Sequence, residues 1–163
     1  MRVFGVTGWK NTGKTTLTER LVVEMVGRGL RISTIKHAHH DTEIDHPGRD
    51  SYRHRQAGAG QVIVSSPRRW ALMTELRDAT EPPLPDLLAR LDPCDLVLIE
   101  GYKSAEHPKI ETYRAATGRS LLAPNNPSIR AIASDTPLDS PLPQFDLNDV
   151  AAIATFILRE VGQ

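Results

Sequence analysis

The feature that most constrains this chain is the segment GWKNTGKT at 8–15, which matches the pattern G-x-x-x-x-G-K-[S/T] in full. An apolar run, RVFGVTG at 2–8, precedes it, and a segment with apolar residues at helical spacing follows at 14–29. A glycine-rich turn between a buried strand and a helix is the setting in which this pattern binds phosphate. The segment therefore predicts a P-loop nucleotide-binding fold rather than an ordinary strand–helix turn.

Each residue of this loop has an expected task. The backbone N–H groups turn inward around phosphate oxygens, and the helix dipole favours the same negative charge. Lys14 is expected to reach the β- and γ-phosphates, and Thr15 to offer its hydroxyl to Mg²⁺. Lys10 is an additional cation, for which a solvent-facing position is favoured over contact with a partner's nucleotide. The predicted nucleotide-binding residues of the loop are Gly8, Trp9, Lys10, Asn11, Thr12, Gly13, Lys14, Thr15 and Thr16.

A P-loop site needs an acidic partner for its metal, and the segment DLVLIE at 95–100 supplies one. Its continuous apolar run is typical of a buried parallel strand, and Glu100 ends that run. Asp95 stands at the other end of the strand, too far away for the same task. Glu100 is therefore predicted to bind Mg²⁺, partly through water, together with Thr15. The alternative is that Glu100 caps a neighbouring helix.

The remaining patterns predict an α/β fold of the P-loop NTPase kind, with a mostly parallel sheet flanked by helices. Apolar runs predict further strands at 30–35, 110–114, 129–134 and 144–147. Helical spacing predicts helices at 84–91 and 148–161, the second with Asn148 as its N-cap. The segment 61–76 indicates an inserted β-hairpin, and the chain 1–163 is expected to form a single domain.

Composition excludes several classes of protein. Lys and Arg number 20 and Asp and Glu number 20, so there is no positive excess to hold nucleic acid or an anionic membrane. No apolar run approaches the roughly 18 residues that a membrane-spanning helix needs. Cys94 is the single cysteine, which excludes an intrachain disulfide and a multi-cysteine zinc site. With no signal peptide visible, a cytoplasmic setting is expected.

Six segments extend the evidence from the P-loop over roughly residues 3–161: GWKNTGKTTL, IKHAHHDTEIDHPGRDSYRHRQAGA, RWALMTE, LVLIEGYK, IASD and FDLNDV. In this order they resemble the MobB family of molybdopterin-guanine dinucleotide biosynthesis adapters. The resemblance implies a P-loop protein that binds GTP, hydrolyses it weakly and forms a homodimer. It also implies that the chain assists a MobA-type guanylyltransferase, which joins GMP to molybdopterin. Molybdopterin itself is a further candidate ligand.

Five of the six histidines fall in the segment IKHAHHDTEIDHPGRDSYRH at 35–54. In a parallel sheet, the loop after a strand opens at the edge where the ligand sits, so Lys36, His37 and Asp41 can meet phosphate or the attacking water. The resemblance supports this interpretation, because the segment lies beside the nucleotide in the MobB family. Two alternatives stay open, a polar loop or a transition-metal site built from His37, His39, His40, Asp41, Glu43 and Asp45.

Three arginines near the end of this segment have two possible uses. Arg49, Arg53 and Arg55 can grip the phosphates of a pterin ligand, or they can lie on the surface.

Base recognition and self-association are less constrained by pattern. The chain has no N-K-x-D motif to read guanine. Asp135 can accept hydrogen bonds from the N1–H and N2–H₂ groups of guanine, or it can begin the turn at Thr136-Pro137. The preference for GTP therefore rests mainly on the resemblance.

The predicted hairpin has an exposed strand edge that a second copy of the chain can cover in a symmetric dimer, with Trp70 as the anchor of the interface. The alternative is that the hairpin packs on its own sheet and Trp70 lies in the monomer core.

The sequence thus favours a GTP-binding adapter with weak Mg²⁺-dependent GTPase activity. Its candidate catalytic residues are Lys14, Asp41 and Glu100, and its candidate base-binding residue is Asp135. One alternative is a P-loop kinase for a small metabolite, with the arginines of 49–55 in a lid. The other is a metallochaperone whose histidine-rich segment carries Ni²⁺ or Zn²⁺.

Overall fold

The structure is a computed structural model that describes residues 1–38 and 44–163. The chain divides into two compact units, one comprising 1–38 with 91–163 and the other 39–90. The expectation of a single domain stays a prediction. No helix among the described residues is long and apolar enough to cross a membrane.

The first unit is an α/β layer built on a six-stranded sheet. Its strands are β1 (Arg2–Thr7), β2 (Ile32–Lys36), β5 (Leu96–Glu100), β6 (Lys109–Tyr113), β7 (Ile129–Ser134) and β8 (Gln144–Asp146). The strands lie in the order β2-β5-β1-β6-β7-β8, and every neighbouring pair is parallel. This arrangement confirms the predicted α/β fold with a parallel sheet.

Two helices, α1 (Lys14–Gly27) and α4 (Val150–Glu160), supply the apolar side chains that cover one face of this sheet. Leu17, Leu21 and Met25 recur on one side of α1 and are at most 1% exposed. They pack in one cluster with Phe4 of β1 and with side chains of α4. Burying a leucine-sized side chain contributes about 1.5–3 kcal/mol, so this cluster is the main stabilising element of the unit.

The register of β1 with its two neighbouring strands determines which residues meet at the carboxyl edge of the sheet. Val6 pairs with Glu100 on one side of β1, and Thr7 pairs with Glu111 on the other. The end of β5 therefore lies level with the start of the loop that follows β1. That alignment comes from parallel pairing of adjacent strands, which brings their carboxyl ends to one edge.

The described part of the second unit contains a hairpin and two short helices. The hairpin pairs β3 (Gln61–Ser66) with β4 (Arg69–Thr74) in an antiparallel two-stranded sheet, as predicted. The helices of this unit are α2 (Asp50–Gln56) and α3 (Leu84–Leu88). Two 3₁₀ turns, Ala115–Thr117 and Ala123–Asn125, belong to the first unit.

Two local predictions were wrong, and one helix was missed. The helix predicted at 84–91 ends at Leu88, where Arg90 N donates to Leu87 O in a turn instead of continuing the helix. The N-cap of α4 is Asp149, whose carboxylate accepts from Ala152 N, and not Asn148. Asn148 N instead donates to the Asp146 side chain, which places Asn148 in the preceding turn. Helix α2 was not predicted at all.

Candidate nucleotide-binding site

The P-loop joins β1 to α1 and is shaped by two glycines and two threonines. Gly8 has φ +143°, and a Cβ there would lie 2.6 Å from Thr112 O, so only glycine fits. Gly13 has φ +97° at the start of α1. The buried hydroxyl of Thr12 lies 2.7 Å from that of Thr112 and donates to Trp9 O. The loop is therefore anchored to β6 beneath it, as a preformed cradle requires.

Lys14 lies over this loop. Its ammonium group donates to Trp9 O at 2.6 Å. Burial lowers the pKa of Lys14, the Glu100 carboxylate opposes that change, and the nearby charges of Lys103 and Lys36 add to it. A partly desolvated cation at a helix N-terminus is suited to binding phosphate oxygens.

Glu100 and Thr15 meet at the edge of the sheet. The Thr15 hydroxyl donates to Glu100 Oε1 at 2.7 Å, and Lys36 Nζ lies 3.5 Å from the same oxygen. Glu100 is 8% exposed. The carboxylate is bonded to a side-chain hydroxyl and not to the backbone N–H groups of a helix, which favours the metal interpretation over the helix-cap alternative. Two oxygen ligands side by side, one of them charged, form the kind of donor set that Mg²⁺ prefers.

The start of the histidine-rich segment contacts the turn that follows Glu100. His37 N donates to Glu100 O at 2.9 Å, and the His37 ring stacks on Tyr102 with centroids 4.4 Å apart. Gly101 has φ +101°, and a Cβ there would lie 3.1 Å from the His37 Cβ. Lys36 and His37 thus lie beside Glu100 at the P-loop edge of the sheet, and their contact with nucleotide stays a prediction.

Four of the six candidate ligands of the transition-metal alternative lie in the part of the histidine-rich segment that the structure does not describe. Asp41, a predicted catalytic residue, lies outside the described residues, as do His39, His40 and Glu43. Within 1–38 and 44–163, no three His, Cys, Asp or Glu side chains come together as a metal site.

The comparisons with known proteins agree with this geometry. Residues 3–135 match the model of the family MobB, described as "Molybdopterin guanine dinucleotide synthesis protein B". A curated relative from Escherichia coli K12, the molybdopterin-guanine dinucleotide biosynthesis adapter protein, is 44% identical over 93% of this chain and 88% of its own. The chain belongs to the MobB family.

Two further members of the MobB family extend this result. The adapter protein of the same description from Haemophilus influenzae is 39% identical over 95% of this chain and 86% of its own. The crystal structure of the MobB protein homolog from Bacillus stearothermophilus superposes with a TM-score of 0.68 at 31% identity, covering 99% of this chain and 98% of that one. The resemblance noted from the sequence is thereby confirmed over the length of the chain.

Of the three arginines at 49, 53 and 55, Arg55 is the one with two carboxylate partners among the described residues. Arg55 is bonded to two carboxylates, Asp45 and Glu75, the second at 2.6 Å. These partners hold the pKa of Arg55 above its ordinary value, and Arg55 in turn lowers the pKa of Asp45. Arg55 therefore braces the second unit instead of presenting a free charge to phosphate. Arg53 lies 3.9 Å from Asp50 and is exposed.

Asp135 directly follows β7, as predicted, and has a structural partner. Its Oδ1 accepts from Ala115 N at 3.0 Å, which ties the end of β7 to the first 3₁₀ turn. The exposed carboxylate keeps a second oxygen, and its contact with guanine stays a prediction.

Sequence reasoning missed the residues that frame Trp9. The Trp9 indole N–H donates to Ser120 O at 2.8 Å, and Lys103 Nζ lies 4.2 Å from the ring centroid. The guanidinium of Arg114 lies beside Gly13, with Nε 3.3 Å from the position of a Cβ on that glycine. Arg114 immediately follows β6 at the same edge of the sheet as Glu100. The strand-end rule that located Glu100 places Arg114 at this edge, but its contact with the P-loop depends on β6 lying beside β1.

Two buried charged residues of β6 hold the loops around the site. Glu111 accepts from Leu122 N at 2.8 Å and from Ala123 N at 2.9 Å. Burial raises the pKa of Glu111, and these two hydrogen bonds oppose that change. Lys109 Nζ donates to Tyr102 O at 3.1 Å and to two further carbonyls, those of Lys103 and Ala105. Burial lowers the pKa of Lys109 to about 8.

His107 fills the space between Lys109 and β1. A Cβ on Gly5 would lie 2.6 Å from His107 Nε2 and 2.8 Å from the Lys109 Cβ. Burial, with a smaller contribution from the charge of Lys109, lowers the pKa of His107 to about 4. The turn of 101–108 is thus packed directly against the strand that leads into the P-loop.

Proposed function

We propose that this MobB-family chain binds Mg²⁺-GTP at its P-loop and acts as an adapter in the biosynthesis of molybdopterin guanine dinucleotide. The observation that carries the proposal is the meeting of Thr15 and Glu100 at 2.7 Å beside Lys14. A phosphate-binding lysine, a hydroxyl and a strand-end carboxylate are the parts that P-loop NTPases use to hold a metal nucleotide. The name of the Escherichia coli relative supports the adapter role.

Thr15 and Glu100 are the residues that would hold Mg²⁺, Glu100 partly through water. The bound ion would neutralise charge that develops on the phosphate oxygens. The chain itself contributes the backbone N–H groups of 8–16, the ammonium of Lys14, and the bond from Lys36 that orients Glu100.

Hydrolysis is expected to be weak, as the family resemblance implies. Glu100 already contacts Thr15 and Lys36, which suits the proposed metal-binding role better than the role of a free general base. A P-loop protein that positions phosphate without a strong base or an arginine finger hydrolyses nucleotide slowly. Slow turnover suits a protein that presents GTP to another enzyme, here a MobA-type guanylyltransferase acting on molybdopterin in the cytoplasm.

We also propose a homodimer formed through the hairpin. Ile63 and Leu72 pair across the two strands, and Ser65 pairs with Trp70, so Ile63, Leu72 and Trp70 share one face. Ile63 is 64% exposed and Trp70 is 69% exposed. This excludes the alternative that Trp70 lies in a monomer core. A large apolar face of this kind is typical of a surface that a partner covers.

Calorimetric titration of GTP and ATP into the Mg²⁺-loaded protein tests the nucleotide assignment. We expect GTP to bind at least tenfold more tightly than ATP, and Asp135→Asn to narrow that ratio because the carboxylate can no longer accept both guanine donors. Equal binding of ATP would contradict the GTP assignment while leaving the P-loop in place. An unchanged ratio in Asp135→Asn would assign base recognition to other residues.

A further inference from the structure

A pocket of about 440 Å³ lies between the P-loop and the segment that follows β6. Three basic side chains contribute to its lining, Lys10 from the loop and Arg114 and Arg119 from the far side, together with the ring of Trp9. None of the lining residues is acidic. Three cations around one concave surface create a positive potential that attracts anions.

These charges are not neutralised within the described parts of the chain. Lys10, Arg114 and Arg119 form no salt bridge there, whereas Arg28, Arg31 and Arg55 each have a carboxylate partner. Arg119 also contacts an aromatic ring, since its guanidinium lies 5.7 Å from the Trp9 ring centroid. A contact at this distance is weak and does not neutralise the charge of Arg119. Like charges that converge without a counter-ion raise the electrostatic energy of the site, and a bound anion relieves that energy.

The pocket is separate from the predicted metal site. In the sheet order β2-β5-β1-β6, the strand that carries Glu100 lies on one side of β1 and the strand that leads to Arg114 lies on the other. The P-loop therefore runs between the Thr15–Glu100 pair and the pocket. Arg114 nevertheless lies beside Gly13, so an anion in the pocket would be a close neighbour of phosphates held by the loop.

The segment that carries Arg114 and Arg119 is held in place at several points. Asp135 accepts from Ala115 N, Ser120 O accepts from the Trp9 indole, and Glu111 accepts from the amides of 122 and 123. A site whose backbone is fixed before binding loses less entropy when a ligand arrives. The pocket is thus a preformed surface and not a chance cluster on a free loop.

We propose that Lys10, Arg114 and Arg119 form a second anion site, which takes the phosphate group of a small phosphate monoester while nucleotide occupies the P-loop. Planar guanidinium groups bind phosphate through paired hydrogen bonds, and two of the three cations are arginines. The pocket is larger than one phosphate group, so it also accommodates the organic part of the ligand. This proposal rests on the proposed function only in assigning nucleotide to the P-loop.

The test uses Trp9 as a local reporter. In Trp70→Phe, Trp9 is the single tryptophan, because the chain contains two. Inorganic phosphate and phenyl phosphate are titrated separately into this protein saturated with Mg²⁺-GDP, and GDP affinity is measured independently by calorimetry. We expect a saturable change in Trp9 fluorescence, and tighter binding of phenyl phosphate than of phosphate.

Substitution of the arginines assigns the binding to the pocket. Arg119→Gln is expected to weaken phosphate binding about tenfold, and the double variant with Arg114→Gln more, since each removes a charge-assisted hydrogen bond. GDP affinity in Arg119→Gln should change by less than threefold. Arg159→Gln, which removes an exposed arginine from the last turn of α4, is the matched control and should change neither affinity.

Three outcomes would overturn the proposal. The absence of a saturable response would exclude a second site. Competition between phosphate and GDP, or parallel loss of both affinities in Arg119→Gln, would assign the pocket to the nucleotide itself. Failure of the proposed function would appear separately, as weak GDP binding in the unsubstituted protein. Arg119→Gln then distinguishes the two sites, because it should weaken phosphate binding in the pocket and not phosphate binding in an empty P-loop.

Discussion

The two units of this chain bury apolar residues in very different ways. In β5 of the first unit, the four apolar residues Leu96–Ile99 are all 0% exposed. In the hairpin of the second unit, Val62 and Met73 are the buried residues, at 8% and 6%, while Ile63 and Trp70 are mostly exposed. The first unit therefore contains its own core, and the hairpin carries an apolar face that needs a further surface. The difference is consistent with the two proposed roles, nucleotide binding by the first unit and self-association through the hairpin.

The largest expected contrast is in stability. Leu98→Ala in β5 should lower the free energy of unfolding by about 3 kcal/mol, because it leaves a cavity in a fully packed core. Val64→Ala in β3 is the counterpart, and at 46% exposed it should cost less than about 1 kcal/mol. Denaturant titration measures both. Equal costs would show that the hairpin is as tightly packed as the sheet.

The next contrast is in ligand binding. Lys14→Ala should weaken GTP binding at least about a hundredfold, since the phosphates lose their partly buried cation. Val64→Ala should leave the affinity unchanged, because no residue of the hairpin is assigned to the nucleotide. Calorimetry provides the measurement, and retained affinity in Lys14→Ala would exclude the P-loop as the binding site.

Self-association should depend on the hairpin of the second unit and not on the sheet of the first unit. Trp70→Ala removes the largest side chain of the exposed hairpin face, and we expect the dimer dissociation constant to rise about tenfold or more. Sedimentation over a range of concentrations measures this constant, with Val64→Ala on the opposite face of the hairpin as the matched control. A dimer that tolerates Trp70→Ala, or an unsubstituted protein that stays monomeric, would contradict the hairpin interface.

The last contrast concerns the stability of the first unit in acid. Folding lowers the pKa of His107 from 6.5 to about 4. Between these two pH values the unfolded chain binds a proton at His107 and the folded chain does not, so the free energy of unfolding decreases as the pH falls from 6.5 towards 4. His107→Gln should remove about 2 kcal/mol of that decline. Unfolding titrations at pH 7 and pH 4.5 measure the difference.

Glu111 acts in the opposite direction over the same acid range, since its pKa is raised by burial. It is present in both proteins, so it cancels when His107→Gln is compared with the unsubstituted chain. An identical decline in the two proteins would show that His107 is accessible to protons in the folded state.

The parts of the fold that could be predicted from sequence are those set by local pattern. The P-loop, the strand ending at Glu100 and the hairpin each have a periodicity or spacing that a few residues define. Helix α2 escaped prediction because it has no buried residue and hence no apolar stripe. At α4, Asn148 and Asp149 are both good capping residues, and the competing bond from Asn148 N to Asp146 decides between them.

The parts of the candidate site that could not be predicted depend on contacts between distant segments. Arg114 and Arg119 face the P-loop only because β6 lies beside β1, a sheet order that the sequence does not display. The sequence likewise does not show that Arg55 is paired with Asp45 and Glu75, which are 10 and 20 residues away along the chain. Predicting such residues requires knowing which strands are neighbours, whereas predicting Lys14 and Thr15 does not.

The close contact at Gly5 has a consequence for how this chain can change over evolutionary time. A methyl group at position 5 would overlap the His107 ring and the Lys109 stem, so position 5 cannot gain a side chain while both stay in place. An alanine there requires a smaller residue at position 107 and a small shift of β6 that moves the Cβ of position 109 away. Positions 5 and 107, far apart along the sequence, should therefore vary together, and a survey of relatives would show the two changes as one inherited step.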